Sequence, residues 1–325
     1  MIENFSITGH EFNFNNNILN IHYKNNNINF NDKYLTIIIY DDFFNFICYK
    51  ITAIINTGSE YWIGTSLLPF SKIARFEIYN NDKKIYSTKI YLNNSYDLSI
   101  LNDAPFLLNY AKYNIDGSTF HDVFIKKEYD YPLKVEKNDV VLDIGSNIGA
   151  FICDAVNKLA AKIYSCEPSI HCYNILQDVF KYFPHVKLNN AAISDSTSLK
   201  FLMMLDDTNG GNFLSDNNNI SWHDRNKKSQ PIQAYTFLDF VSKNEIKYID
   251  FLKCDCEGGE HYIFVDENAN FISKKINKIV LEYHGNNKNI LTFLKKNNFN
   301  ILKLDGSDKI GIIHAKNNKS IIRYE

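Results

Sequence analysis

Apolar and polar positions follow two different rhythms along the chain. The first hundred positions hold short runs rich in β-branched and aromatic residues, among them YLTIIIY (34–40), FICYKITAII (46–55), ARFEIYN (74–80) and IYSTKIYL (85–92). Such runs, separated by turns that contain Asn and Gly, are typical of β-strands. The turn NNDKK between the last two runs predicts a hairpin. We therefore expect residues 1–105 to form a β-rich, sandwich-like domain.

After Val140, strand-like and helix-like segments alternate. The strand-like segments are VVLDIG (140–145), KIYSCEP (162–168), VKLNNAAI (186–193), YIDFLKCD (248–255), KIVLEYH (278–284), FNILKLDG (299–306) and IGIIHAK (310–316). Helices are predicted near 148–160, 169–182, 236–244, 259–271 and 287–297. This alternation predicts an α/β domain over residues 106–325, with a mostly parallel sheet covered on both faces. The DGSD turn before the last strand allows only a tight hairpin, so that strand must be antiparallel.

Composition places the chain among ordinary globular proteins and argues against some partners. Of 325 residues, 45% are hydrophobic and 22% are charged, and the net charge is −2. This balance predicts no broad basic surface for nucleic acid or an anionic membrane. The N-terminus MIENFSITGH lacks the pattern of a signal peptide, and no apolar run approaches the roughly 20 residues of a membrane span. Six scattered cysteines are typical of free thiols, so we expect a cytoplasmic protein.

The first strand after residue 135 runs into a glycine turn, VVLDIGSNIGAF. In open parallel sheets, ligands bind at the carboxyl ends of the strands. A dinucleotide-binding turn needs G-x-G-x-x-G, but Asn147 stands where the second glycine would be. The spacing is instead D-x-G-x-x-x-G, from Asp143 through Gly145 to Gly149. An acid at this position suits a positively charged amine, and S-adenosylmethionine carries one.

The next two predicted strands end in residues that suit the rest of this cofactor. The carboxylate of Glu167 could accept hydrogen bonds from two ribose hydroxyls. The third strand ends in NNAAISD, whose small residues leave room for a flat adenine. The alternative is that the two glycines only make a tight turn, which the acids at both strand ends disfavour. The predicted cofactor-binding residues are Asp143, Gly145, Ser146, Asn147, Gly149, Glu167, Asn190, Ala191 and Asp255.

The fourth and fifth strands of this half carry ionisable side chains. In YIDFLKCDCEGGEHY, two-residue alternation points Lys253, Asp255 and Glu257 to one side. The fifth strand ends in LEYHG, where Glu282 and His284 share a side. Burying so many ionisable groups is costly unless they are paired or functional. A structural ion-pair network, for instance Lys253 with Glu257, is the alternative to a reaction site.

Several of these motifs together resemble one protein family. In this order, VVLDIGSNIGAF, YSCEP, NAAISD, TFLDF, FLKCDCEGGEHYIF and VLEYHG are similar to the FkbM family of S-adenosylmethionine-dependent methyltransferases. The resemblance covers roughly residues 120–300, and K-x-D-x-E-G-x-E from Lys253 to Glu260 is its most specific part. It implies a Rossmann-like class I methyltransferase sheet of seven strands with the last antiparallel. Ser146 replaces the usual Ala, and the first hundred residues lie outside the family pattern.

The resemblance also implies the reaction, which is O-methylation, often of a sugar or polyketide hydroxyl. A hydroxyl is a poor nucleophile, so a base should take its proton as the methyl group moves. His284 is the predicted base, because an unperturbed imidazole has a pKa near 6.5. Asp255 and Glu257 are alternative bases, or they could hold a divalent cation such as Mg²⁺. Lys253 completes the predicted catalytic set, and no dedicated metal site is predicted.

Two other functions stay open at this point. One is a non-catalytic glycan- or protein-binding protein with a relic Rossmann-like domain, which the complete set of Asp143, Glu167, Asp255 and His284 argues against. The other is a nicotinamide-dependent oxidoreductase, which Asn147 disfavours. We expect a small-molecule or glycan acceptor, with neither a nucleic acid nor a membrane as partner. The sequence predicts no oligomeric state.

Overall fold

A computed structural model of the protein describes most of the chain after residue 117 and the strands before it. The described residues are 5–13, 18–25, 34–41, 46–54, 60–64, 73–80, 83–91, 110, 113, 118–204, 212–216 and 228–319. The chain divides into two compact units, Met1–Ile125 and Lys126–Glu325. The sequence predicted a boundary near residue 105, which lies outside the described residues, so that exact boundary stays a prediction.

The first unit contains two antiparallel sheets. Its strands are β1 (Phe5–Asn13), β2 (Ile18–Asn25), β3 (Tyr34–Asp41), β4 (Phe46–Ile54), β5 (Glu60–Gly64), β6 (Ile73–Asn80) and β7 (Lys83–Tyr91). One sheet has the order β1-β2-β5 and the other has the order β4-β3-β6-β7. The predicted hairpin is confirmed, because β6 and β7 pair antiparallel. A short helical segment, Ser118–Phe120, then continues as a π-helical turn, His121–Lys126.

The second unit is an α/β domain. Its strands are β8 (Val140–Ile144), β9 (Lys162–Cys166), β10 (Val186–Asn189), β11 (Ala192–Ile193), β12 (Ser198–Met204), β13 (Phe213–Ser215), β14 (Lys228–Tyr235), β15 (Ile249–Cys254), β16 (Ile276–His284), β17 (Phe299–Gly306) and β18 (Ile310–Asn317). Its helices are α1 (Ala150–Asn157), α2 (Ile170–Phe180), α3 (Phe237–Lys243), α4 (Glu260–Ile263), α5 (Ala269–Lys275) and α6 (Lys288–Lys296).

The main sheet confirms the predicted fold class. Among the described residues it has seven strands in the order β10-β9-β8-β15-β16-β18-β17. The first five are parallel, and β18 is antiparallel to both of its neighbours. This is the predicted Rossmann-like methyltransferase sheet. The strand order reverses beside β8, so a ligand site is expected where β8 and β15 end.

Two predicted elements are each divided in the structure. The strand predicted over 186–193 ends at Asn189, because the Asn190 amide donates to the carbonyls of Glu167 and Pro168 and turns the chain away. Residues after it form a second small sheet, β11-β14-β12-β13, which the sequence did not predict. The helix predicted over 259–271 is α4, a 3₁₀ turn and α5. Here the Asn268 amide donates to the Ile263 carbonyl and ends α4.

The two faces of the main sheet have different chemistry. One face packs against α3, α5 and α6 through a buried apolar cluster that includes Leu252 and Leu281. Because side chains alternate along a strand, the other face carries Asp143, Lys253 and Glu282. Phe151 of α1 covers part of this polar face and contacts the Phe251 ring at 5.6 Å between centroids. Across the described stretches, no helix has the length and apolar character to span a membrane.

Candidate active site

A cavity of about 570 Å³ lies at the carboxyl ends of β8, β9 and β15. This volume lies in the range of small-molecule sites. Its far wall is formed by β12 and β13 of the small sheet, where the buried Lys200 pairs with Asp195 at 2.8 Å and Asp216 at 2.7 Å. The predicted site residues that line it are Gly145, Asn147, Glu167, Ala191, Asp255 and Glu257.

Gly145 is needed for the packing of two strand ends. Its φ is +78°, and a Cβ atom there would lie 1.6 Å from the Asp255 carbonyl oxygen. Its N–H donates to the Cys166 carbonyl at 2.9 Å, while the Asp255 N–H donates to the Ile144 carbonyl at 3.0 Å. The absence of a side chain at Gly145 therefore allows the backbone at Asp255 to pack closely against the glycine turn.

Glu167 is held rigidly at the cavity wall. One carboxylate oxygen accepts the Asn147 N–H and the other accepts the Ser169 N–H, both at 2.7 Å. Burial raises the pKa of Glu167 to about 7, although these two hydrogen bonds favour the charged form. Each carboxylate oxygen has a further lone pair. Glu167 is therefore oriented to accept hydrogen bonds from hydroxyl groups in the cavity.

Three other predicted cofactor-binding residues do not line the cavity. The Ser146 hydroxyl donates to the Asp143 carbonyl at 3.1 Å and pairs with the Ser165 hydroxyl at 2.8 Å. Gly149 precedes α1 with a φ of 90°, in the left-handed region. Asn190 turns the chain after β10, as described above. These three residues shape the cavity from outside it.

Asp143 and Lys253 form a buried ion pair under the glycine turn. Lys253 Nζ lies 3.3 Å from Asp143 Oδ1 and donates to the Gly145 carbonyl at 2.6 Å. Burial raises the pKa of Asp143, and the Lys253 charge opposes that rise. Burial lowers the pKa of Lys253, but the charges of Asp143 and Asp255 outweigh it and raise that pKa above its ordinary value. Lys253 therefore pairs with Asp143 and Asp255 and not with Glu257, the partner considered in the sequence analysis.

Asp255 joins the cavity to the polar face of the sheet. Its Oδ2 accepts the Tyr129 hydroxyl at 3.2 Å and lies 3.8 Å from Lys253 Nζ. Burial, followed by the Asp255 charge, raises the pKa of Tyr129 well above its ordinary value. The sequence did not single out Tyr129, because it lies 126 positions before Asp255 in a segment without periodicity.

His284 is enclosed by carboxylates. Its Nε2 lies 3.3 Å from Glu257 Oε2, and its Nδ1 lies 3.4 Å from Glu260 Oε1. Glu260 also accepts the His284 backbone N–H at 2.5 Å. The Glu260 carboxylate raises the pKa of His284 to about 9, against the effect of burial. The imidazole is therefore protonated at neutral pH, which opposes its predicted role as the base.

The carboxylates do not fit a resident Mg²⁺ ion. One atom each of Asp255, Glu282 and His284 lies within 4.8 Å of the other two. Mg²⁺ prefers oxygen ligands in octahedral geometry. Here the third member is an imidazole, a nitrogen ligand, and its ring nitrogens already face Glu257 and Glu260.

The pKa of His284 predicts a pH-dependent stability. A histidine pKa raised in the folded state adds stability that is present below about pH 6.5 and is lost as pH rises through about 9. We expect the free energy of unfolding to fall by on the order of 3 kcal/mol across this window. Urea unfolding at several pH values measures it. His284→Gln should flatten the slope of unfolding free energy against pH, whereas His171→Gln should not, because His171 is exposed. Equal slopes in the wild type and both variants would contradict the pairing of His284 with Glu260.

The second unit is similar to a known protein family. Residues 143–301 match the model of the methyltransferase FkbM domain. No curated protein matches the chain. Solved structures with similar folds include an uncharacterized protein from Listeria monocytogenes serotype 4b, with 14% identity, a TM-score of 0.37, and coverage of 62% of this chain and 69% of that one.

Two further similar structures contain S-adenosylmethionine or its product. M. capricolum TrmK in complex with S-adenosylhomocysteine has 16% identity and a TM-score of 0.35, with coverage of 59% of this chain and 68% of that one. Aeropyrum pernix fibrillarin with bound S-adenosylmethionine has 11% identity and a TM-score of 0.37, with coverage of 58% and 71%. Likenesses this distant identify no substrate. The family match confirms the resemblance seen in the motifs, because residues 143–301 are similar to the methyltransferase FkbM domain.

Proposed function

We propose that the protein is an S-adenosylmethionine-dependent O-methyltransferase whose acceptor is a hydroxyl of a sugar, a glycan or a related small molecule. The observation that carries the proposal is the fixed Glu167 carboxylate at the wall of a cavity of about 570 Å³. Its oxygens suit the two adjacent ribose hydroxyls of the cofactor. The small side chain of Ala191 lines the same cavity and leaves room for adenine.

The reaction end of the cavity suits a hydroxyl-bearing acceptor. Asp255 and Glu257 line it, and carboxylates accept hydrogen bonds from hydroxyl groups. When bound, S-adenosylmethionine supplies an electrophilic methyl group on a sulfonium. The protein's own contribution is then to bind and align the acceptor and to take up the hydroxyl proton. The buried ion pair of Asp143 and Lys253 supports the turn beneath this end without entering the cavity.

Binding and label transfer test this proposal together. We expect S-adenosylmethionine, and not NADH, to release heat in calorimetry. Glu167→Ala should weaken binding by about 1–3 kcal/mol, because it removes the carboxylate that accepts the ribose hydroxyls. Glu267→Ala is the control, since Glu267 is exposed and outside the cavity.

The acceptor class is tested with methyl-labelled cofactor and a panel of monosaccharides, nucleotide sugars and matched amino sugars. Label on a hydroxyl oxygen supports the proposal. Label on nitrogen alone would overturn O-methylation, and binding of NADH in place of the cofactor would favour an oxidoreductase.

A further inference from the structure

Two carboxylates meet at the ends of neighbouring strands beside the cavity. Asp255 follows β15 and lines the cavity, and Glu282 lies near the end of β16, which pairs with β15 in parallel. A carboxylate oxygen of one lies within 4.8 Å of a carboxylate oxygen of the other. Both side chains are about a quarter exposed, at 27% and 24%. Like charges this close in a partly buried place disfavour ionisation of both groups.

The partners of the two carboxylates decide which one takes up a proton. Asp255 already accepts the Tyr129 hydroxyl and lies 3.8 Å from the Lys253 ammonium, so its charged form has two partners. Among the residues that the structure describes, the cationic group within 4 Å of Glu282 is the ring of His284, at 3.8 Å. Burial, followed by the charge of Asp255, raises the pKa of Glu282 to about 7. Glu282 therefore binds a proton over part of the neutral pH range.

Charged groups from each surrounding element act on Glu282. From β15 these are Asp255, which raises its pKa, and Lys253, which lowers it. The segment before β8 contributes Glu128, which raises the pKa, and the buried Tyr129. On its own strand, His284 lowers it. On the β18 side its register partner is the uncharged Ile312.

We propose that Asp255 and Glu282 form a carboxylate pair in which Glu282 binds a proton in the resting protein and releases it when a sulfonium cofactor binds, so that Glu282 then takes the proton of the acceptor hydroxyl. This inference rests on the proposed function. In the transfer, the hydroxyl oxygen bonds to the methyl carbon while the carbon–sulfur bond breaks. The sulfur keeps the electron pair, and the hydroxyl proton moves to Glu282.

The charge of the cofactor explains how the base becomes available. A positive charge entering a cavity lined by Asp255 lowers the cost of ionising the neighbouring Glu282. After transfer the product sulfur is neutral, so the proton can stay on Glu282 until the products leave. His284 acts in this scheme as a fixed positive neighbour held by Glu257 and Glu260, and therefore as a positioning residue.

Proton release on binding tests the pair without an acceptor. Calorimetry at pH 7 in two buffers of different ionisation enthalpy gives the number of protons released with S-adenosylmethionine and with S-adenosylhomocysteine. Glu167 also has a pKa of about 7, but both ligands carry the same ribose, so its contribution largely cancels in the difference. We expect the cationic ligand to release an additional fraction of one proton. Glu282→Gln should abolish this difference and keep affinity for S-adenosylhomocysteine.

The remaining variants and outcomes separate this inference from the proposed function. Asp255→Asn should shrink the difference, because it removes the like charge, and the exposed control Glu267→Gln should keep it. Binding of both ligands with equal proton release overturns the pair but leaves the proposed function standing. No binding of either ligand overturns the proposed function itself. If Glu282→Gln does not fold, the wild-type protein is measured from about pH 5 to pH 9. The difference in proton release between the two ligands should then reach a maximum near pH 7. A difference that does not change with pH overturns the pair.

Discussion

Lys253→Met is expected to destabilise the protein by about 3–5 kcal/mol, because it leaves a buried carboxylate without its counter-charge. Asp143 is fully buried, and both of its carboxylate oxygens lack a hydrogen bond of good geometry. The Lys253 ammonium, at 3.3 Å, is the cation paired with it. The substitution also removes the donor to the Gly145 carbonyl. Urea unfolding of the full chain measures the loss.

A double variant distinguishes the unpaired charge from a simple change of shape. Asp143→Asn combined with Lys253→Met removes both charges, so it should recover much of the stability lost in the single variant. Lys274→Met is the matched control, because Lys274 is exposed on α5 and should tolerate the change. If the double variant is as unstable as Lys253→Met, the buried pair is not the cause.

Gly145→Ala is expected to cost a similar amount, about 3–5 kcal/mol, and to abolish cofactor binding. The new methyl group would lie 1.6 Å from the Asp255 carbonyl oxygen, a backbone atom that cannot rotate away. The ends of β8 and β15 must then separate, which displaces both the glycine turn and Asp255. Urea unfolding measures the stability, and calorimetry with S-adenosylmethionine measures the binding.

Gly258 provides the control for this prediction. It also has a positive φ, of 99°, but nothing lies within 4 Å of an added Cβ atom. Gly258→Ala therefore carries only the cost of the left-handed backbone, about 1–2 kcal/mol. The difference between the two alanine variants measures the steric overlap at Gly145. Equal losses would show that backbone conformation alone explains both.

Local sequence patterns predicted the architecture of the second unit well. Strand and helix signals depend on alternation, turn residues and apolar periodicity, which are properties of adjacent positions. The DGSD turn predicted the antiparallel last strand, and the structure confirms it in β17 and β18. Predictions were wrong where side-chain amides bond to backbone carbonyls. Asn190 ends a strand through the Glu167 carbonyl, and Asn268 ends a helix through the Ile263 carbonyl.

The candidate site shows the same division between local and tertiary information. Sequence motifs located Gly145, Glu167 and Asp255 at strand ends, and all three line the cavity. They could not select the partner of each charge.

By itself, the sequence determined the fold class, the order of the elements and the edge of the sheet where the ionisable groups collect. Only the tertiary structure decided that Lys253 neutralises Asp143, that His284 is enclosed by Glu257 and Glu260, and that Glu282 meets Asp255. Strand order brings together residues that are far apart in the chain. Partial burial then makes their charges interact strongly. Protonation states therefore follow from three-dimensional packing, which no local pattern in the chain records.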